Sequence, residues 1–252
     1  MLTAEEKARF SKICEEAWAA DPSRGIGTLG EKTLHRVLKR FFCDTECVHE
    51  VKLGDFVADA VVGGVIYEVQ TGGFFPLKRK LLYYKENTDY SVRIVCPVVK
   101  KKSLIWVDPE SGEMSEPRRT NAGLGKWKYL AEMIYLLPVF DFSRTSLFLV
   151  ELVVEDYKLL NGYGTDKKRR ASRYERLPRE LLGLYEITTR EEFAELFLPE
   201  LPSSFSSAEF SRKTGLRRRS LSAAIKVLLA MNIIRIAGKE KNKILYEKNP
   251  EA

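Results

Sequence analysis

The fold turns on one stretch, Phe56-Val57-Ala58-Asp59-Ala60-Val61-Val62-Gly63-Gly64-Val65-Ile66-Tyr67-Glu68-Val69-Gln70-Thr71. Two strand-like runs meet at Gly63-Gly64, a dipeptide suited to the positive backbone angles of a two-residue hairpin turn. Setting Val62 opposite Val65 makes Val61 face Ile66, Ala60 face Tyr67 and Asp59 face Glu68. Directly opposed side chains share one face of the sheet, with Cβ atoms roughly 4.5 to 5.5 Å apart. Two carboxylates so placed repel. Their neighbours Phe56, Val57, Ala58, Ala60, Val61, Val65, Ile66 and Val69 are apolar, which strengthens the repulsion. A divalent cation between them offsets the cost. Gln70 falls on the face of Glu68, because strand side chains alternate.

Upstream, a strand-like run covers Glu46–Leu53, after helices from Thr3 to Ala20 and from Thr28 to Phe42. The second helix carries the apolar stripe Leu34, Val37, Leu38, Phe41 and Phe42, with Glu31 on or beside it. A desolvated carboxylate there needs a cation, a donor or a metal; the alternative is an edge Glu that reaches water and pairs with His35. Downstream of Gly72-Gly73, a helix from Pro76 to Glu86 has proline at its start and bears Lys78, Arg79 and Lys80. Ser91–Val98 reads as a buried strand. Leu104–Val107 and Glu113–Pro117 read as a hairpin, with Lys100-Lys101-Lys102 as a surface turn before it.

The order helix, three strands, helix, strand, with Asp59, eight residues, then Glu68-Val69-Gln70, resembles the PD-(D/E)XK nuclease superfamily over about Ile26 to Pro97. The resemblance implies an α/β fold with a restriction-endonuclease-like core (αβββαβ) in residues 1–120. It makes Asp59 and Glu68 ligands of Mg²⁺ or Mn²⁺ and Glu31 an accessory acid. Gln70 takes the position of the family's lysine, and Ala58 stands where the family has proline. The glutamine removes the cation that orients the attacking water; Lys78 or Lys80 from the next helix can restore one. The implied chemistry is phosphodiester hydrolysis by a metal held on carboxylates and substrate phosphate. The arrangement is also similar to an uncharacterised group of bacterial proteins. Acids diverging onto separate surfaces, or one acid locked to an arginine, would leave no catalyst.

The 252 residues hold 42 basic and 35 acidic side chains, a net charge of +7. Ser203–Ala252 has eleven basic and four acidic residues, so the whole excess lies there. A basic module on a neutral body marks a polyanion partner. Within it, Ser206 or Ser207 can cap a helix over Ala208–Lys213 that Gly215 ends. A second helix follows from Arg218 to Met231, with Leu221, Ala224, Ile225, Leu228 and Leu229 at helical spacing. Ile233–Ala237 and Lys243–Glu247 then form a hairpin. With Arg190–Leu198 as first helix, residues 188–252 look like a winged helix-turn-helix. That resemblance sends the helix beginning Arg217-Arg218-Arg219-Ser220 into a DNA groove and the wing lysines Lys239, Lys241 and Lys243 to the backbone. Three cations at a helix N-terminus oppose its dipole, and contacts to phosphate or guanine supply the reason for them. A protein-docking domain is the alternative.

Residues 121–187 read as an α/β connector: a helix over Trp127–Leu137, a strand over Ser146–Asp156 and a loop over Asn161–Arg176. In that loop Lys167, Lys168, Arg169 and Arg170 suit a phosphate backbone or a solvated surface equally. No apolar run reaches the roughly 18 to 20 residues of a membrane helix, and the first residues carry no export signal. A cytoplasmic protein with Cys14, Cys43, Cys47 and Cys96 reduced is the expectation. Cys43 and Cys47 with His35 and His49 lack a zinc spacing. The expected function is a metal-dependent nuclease acting on nucleic acid, DNA first, targeted by the basic winged helix. The alternatives are a DNA-binding protein with an inactive nuclease fold as scaffold, and a module docking other proteins. No membrane partner is expected, and a homodimer stays open.

Overall fold

Gly63 and Gly64 take φ of 53° and 76°, so the turn closes with the angles that its two glycines allow. The computed structural model describes residues 2–19, 33–43, 47–163 and 170–250. Glu31, Lys167, Lys168, Arg169 and the start of the second expected helix lie outside the described residues. The hairpin joins β2 (Phe56–Val62) to β3 (Val65–Val69), and its register is the one read from the sequence: Val62 opposite Val65, Val61 opposite Ile66, Ala60 opposite Tyr67.

Before the hairpin come α1 (Ala4–Ala19), α2 (Thr33–Phe42) and β1 (Val48–Leu53). After it come α3 (Leu77–Asn87), β4 (Ser91–Val107), β5 (Arg118–Thr120) and α4 (Lys126–Glu132), which runs into a 3₁₀ turn over Met133–Tyr135. Then follow β6 (Thr145–Leu159), β7 (Ser172–Ile187), α5 (Arg190–Phe197), β8 (Ser204–Ser206), α6 (Ser207–Thr214), α7 (Arg218–Ala230), β9 (Ile234–Glu240) and β10 (Lys243–Lys248). The large sheet has the order β1-β2-β3-β4-β6-β7, with β5 on β4; β3 pairs antiparallel to β2 and parallel to β4. The small sheet has the order β8-β10-β9 and is antiparallel. The protein is a mixed α/β fold. No helix among the described residues is long and apolar enough to cross a membrane.

The chain groups into two compact units, and neither is one run of sequence. The first unit comprises Met1–His49, Pro97–Gly123 and Leu149–Leu184. There α1 meets α2 through Phe10 and Phe41, edge to face at 5.3 Å. Ile105, Val107, Tyr157, Leu159 and Leu177 form a core cluster with Trp18 against it. Lys100, Lys101 and Lys102 make no turn. They continue β4, because β6 offers carboxylates: Lys100 lies 3.1 Å from Glu151, and Lys102 lies 3.7 Å from the buried Asp156. The loop expected to reach Arg176 ends early, since β7 starts at Ser172 and Arg176 grips Asp156 through two nitrogens. Cys43 and Cys47 correct the expectation of four reduced thiols. They are joined as a disulfide beyond the last turn of α2, where their Cα atoms stand 5.4 Å apart.

The second unit comprises Glu50–Cys96, Leu124–Phe148 and Tyr185–Ala252. It therefore gathers the hairpin, α3, α4 and all the elements from α5 to β10. The C-terminal helices start and stop on local signals. Ser206 and Glu209 form a reciprocal capping box at α6, Thr189 and Glu192 form another at α5, and Gly215 ends α6 in the left-handed conformation. The Trp127 ring from α4 lies 5.4 Å from Phe197 and 6.0 Å from Phe210, so α4 is built into the C-terminal aromatic core.

Candidate metal and nucleic-acid sites

Continuing the hairpin register by one step brings Asp59 level with Glu68. The strands part here, and the Asp59 side chain takes over the pairing: Val69 N–H donates to its Oδ2 at 2.7 Å. Glu68 is 0% exposed. Two groups from α3 reach down to it. Lys80 Nζ donates to Oε2 at 2.7 Å, and the Tyr84 hydroxyl donates to Oε1 at 2.8 Å. Lys80 and Tyr84 are four residues apart, so they share one helix face. Lys78, two residues before Lys80, points elsewhere on the helix for the same geometric reason. Of the two candidate lysines, the structure brings Lys80 to the carboxylate.

Burial pushes the Glu68 carboxyl up from 4.5 to about 7, against the pull of Lys80, and the Asp59 charge pushes it the same way. Burial and the adjacent Glu68 carboxylate also raise Tyr84 far above the ordinary phenol range, so it stays a proton donor. The repulsion read from the sequence is therefore present. In this structure Lys80 and Tyr84 answer it, the first with a positive charge and the second with a hydrogen bond. No group of three or more His, Cys, Asp or Glu able to hold a metal occurs among the described residues.

Gln70 sits just past β3, where its N–H donates to Val95 O at 2.8 Å and its carbonyl accepts from the Tyr129 hydroxyl at 3.4 Å. The loop after it is held from α4. Lys128 Nζ donates to the carbonyls of Thr71 at 3.4 Å and Gly72 at 3.0 Å, and Glu132 Oε2 accepts from Phe74 N–H at 2.8 Å. Tyr84, Lys128 and Glu132 were missed in the sequence. Tyr84 was findable, because it stands four residues beyond Lys80. The other two carry no local signal, since their partners lie 56 to 58 residues away.

The basic candidates gather on two other features of this unit. Arg217, Arg218 and Arg219 are exposed at the start of α7, with Arg217 at the cap position and Arg218 held at φ 49°. Lys239, Lys241 and Lys243 are exposed on the β9–β10 hairpin, where Lys241 takes a φ of 54° in the turn. Arg170, in the first unit, is exposed as well.

No solved structure matches this chain. It is similar to an uncharacterized protein of Treponema pallidum (strain Nichols), 28% identical over 228 residues that cover 89% of this chain and 88% of the relative. The family model described as Domain of unknown function (DUF8091) matches residues 32–188, a span that holds Asp59, Glu68, Gln70, Lys80 and Tyr84 and stops short of α5; the chain belongs to that family.

Proposed function

We propose that the protein is a metal-dependent nuclease acting on DNA, with a restriction-endonuclease-like core and a C-terminal winged helix that brings it to its substrate. The observation that carries this reading is the Asp59–Glu68 pair with Lys80 at 2.7 Å. It is a buried carboxylate with a second carboxylate beside it and a cation from the neighbouring helix, as the Gln70 substitution calls for. Mg²⁺ is commonly held by one or two carboxylates, with water and substrate phosphate completing its shell. Asp59 and Glu68 fit that donor set. When bound, the metal supplies an acidified water and charge stabilisation at phosphorus. Lys80 favours the ionised form of Glu68 against the effect of burial and supplies the positive charge that Gln70 lacks. The order α5, β8, α6, α7, β9, β10, with its three-stranded sheet, supports the winged-helix assignment. The exposed arginines at the start of α7 and the lysines of the wing support a phosphate-rich partner.

The test is cleavage by the purified full-length chain of single-stranded, duplex and supercoiled DNA, and of RNA, with Mg²⁺ and then Mn²⁺. Metal-dependent cutting that Glu68→Ala and Asp59→Asn both abolish is the expected result. No cutting of any form overturns the enzyme assignment.

A second reading has its own observation. Both Glu68 oxygens are engaged by α3 and the group is fully buried. A nuclease fold retained as a scaffold for DNA binding accounts for that too. Calorimetry separates the two: the enzyme binds Mn²⁺ and loses it on Glu68→Ala, whereas the scaffold binds none at this pair.

A further inference from the structure

We propose that Phe75 and Tyr135 form a stacking platform for an unpaired nucleobase, which makes single-stranded or frayed nucleic acid the preferred substrate. The proposal rests on nucleic acid being what the Asp59–Glu68 site acts on. Phe75 is 68% exposed and Tyr135 is 42% exposed, and their rings meet edge to face at 5.5 Å with an interplanar angle of 81°. Each ring is outward on a rigid support. Phe74, before Phe75, is fully buried, and its N–H is held by Glu132. Its carbonyl accepts from Leu77 N–H at 3.0 Å, and Pro76 fixes the entry to α3 at φ −66°. Tyr135 lies between the fully buried Met133 and Leu136. Gly73 admits this close course, because a Cβ there would fall 2.9 Å from Glu132 Oε2.

The placement supplies the ligand's chemistry. Phe75 follows Gln70 by five residues and precedes Lys80 by five, so the rings border the loop between the two site elements. Lys78 and the exposed Arg79 follow in the first turn of α3. Two exposed rings with cations three and four residues along the chain from Phe75 suit a base flanked by phosphates, since stacking on an aromatic ring accepts any base and the backbone needs positive charge. A protein partner demands more, about 800 Å² per side for a stable interface. In a duplex the base faces are already stacked, so this platform selects strands whose bases are free.

Fluorescence anisotropy of the full-length chain in EDTA, titrated into labelled oligo-dT and into a duplex, tests this without any cleavage. Stacking is worth about 1 to 3 kcal/mol per base. Phe75→Ala should therefore weaken single-strand binding roughly tenfold while changing duplex binding by less than about twofold. Tyr135→Ala should act in the same direction, and Phe75→Trp should restore affinity. Equal single-strand affinity of wild type and Phe75→Ala, equal losses on both ligands, or no binding by wild type each overturns the proposal. A chain that binds through Phe75 yet never cuts keeps the platform and loses the nuclease. A chain that cuts with no dependence of binding on Phe75 does the reverse.

Discussion

Lys80 Nζ and Glu68 Oε2 stand 2.7 Å apart, a helix cation reaching a strand carboxylate that has no access to water. Removing two opposite charges from water costs more than their attraction returns unless further donors complete the shell. The Tyr84 hydroxyl is such a donor, and the Asp59 charge nearby works against the arrangement. A pair kept under that tension is a poor device for stability alone. That is the physical ground for assigning it chemistry.

The raised Glu68 pKa makes stability depend on pH in a window of its own. An acid that ionises at about 7 when folded and near 4.5 when unfolded binds more protons in the folded state between those values. Stability then falls as pH rises through that range and levels off above it. Asp108, Asp141 and Glu209 have lowered values from hydrogen bonds to their carboxylates, so they act below their ordinary values of 3.8, 3.8 and 4.5 and leave this window alone. Thermal melts should lose roughly 5 °C between pH 5 and pH 8. Glu68→Gln should flatten that slope, and an unchanged slope in the variant would refute the assignment.

Removing the donors should separate charge from shape. Tyr84→Phe keeps the ring and deletes one hydrogen bond to a buried carboxylate, which should cost about 1 to 3 kcal/mol at pH 8 by urea unfolding. The loss should shrink at pH 5, where Glu68 carries its own proton. Lys80→Ala should abolish metal-dependent cutting and Mn²⁺ binding should weaken. Lys85→Ala, an exposed lysine further along α3, should change neither. Full activity in the Lys80 variant would remove it from the mechanism.

What was legible in the sequence was local. The Gly63-Gly64 turn fixed a register, Ser206 and Gly215 marked the ends of α6, and helical spacing placed α7. Each rests on residues within a turn or two of one another. The failures were contacts at a distance. Three consecutive lysines read as a turn until Glu151 and Asp156 appear on the neighbouring strand. Residues 126–132 read as part of a connector, because nothing nearby in sequence tells that Lys128 and Glu132 hold the loop after Gln70 or that Trp127 meets Phe197 and Phe210. Of the site, the acids and a choice of two lysines were legible, and Tyr84 follows from helical spacing once Lys80 is placed on the carboxylate; Lys128 and Glu132 were not, because their partners lie far off in sequence.

Trp127 tests how far α4 belongs to the C-terminal core. Its ring is buried against two phenylalanines from two other helices. Trp127→Ala should cost about 3 to 5 kcal/mol, the range for deleting a buried aromatic. If α4 is only a tether, the variant should unfold like wild type. The small sheet and α5 to α7 should melt together with α4, read by hydrogen exchange on α7, and early exchange confined to α4 would count against a shared core.

Arg218 offers a separation of stability from binding. It opens α7 at φ 49°, a conformation that costs a residue with a Cβ about 1 kcal/mol or more and glycine almost nothing. Exposed as it is, the side chain gains no core packing in return. Arg218→Gly should therefore raise the melting temperature or leave it unchanged, since a position just inside a helix tolerates glycine better than its middle does. If the arginine is there for phosphate, the same variant should bind DNA more weakly at every sequence tested. Its slope of log affinity against log salt should flatten by about one for each lost phosphate contact. Arg217→Ala and Arg219→Ala should flatten the slope likewise without the gain in stability. A glycine variant that is more stable and binds DNA with an unaltered salt slope would leave the strained arginine without a phosphate to meet, and would turn the start of α7 toward a protein partner instead.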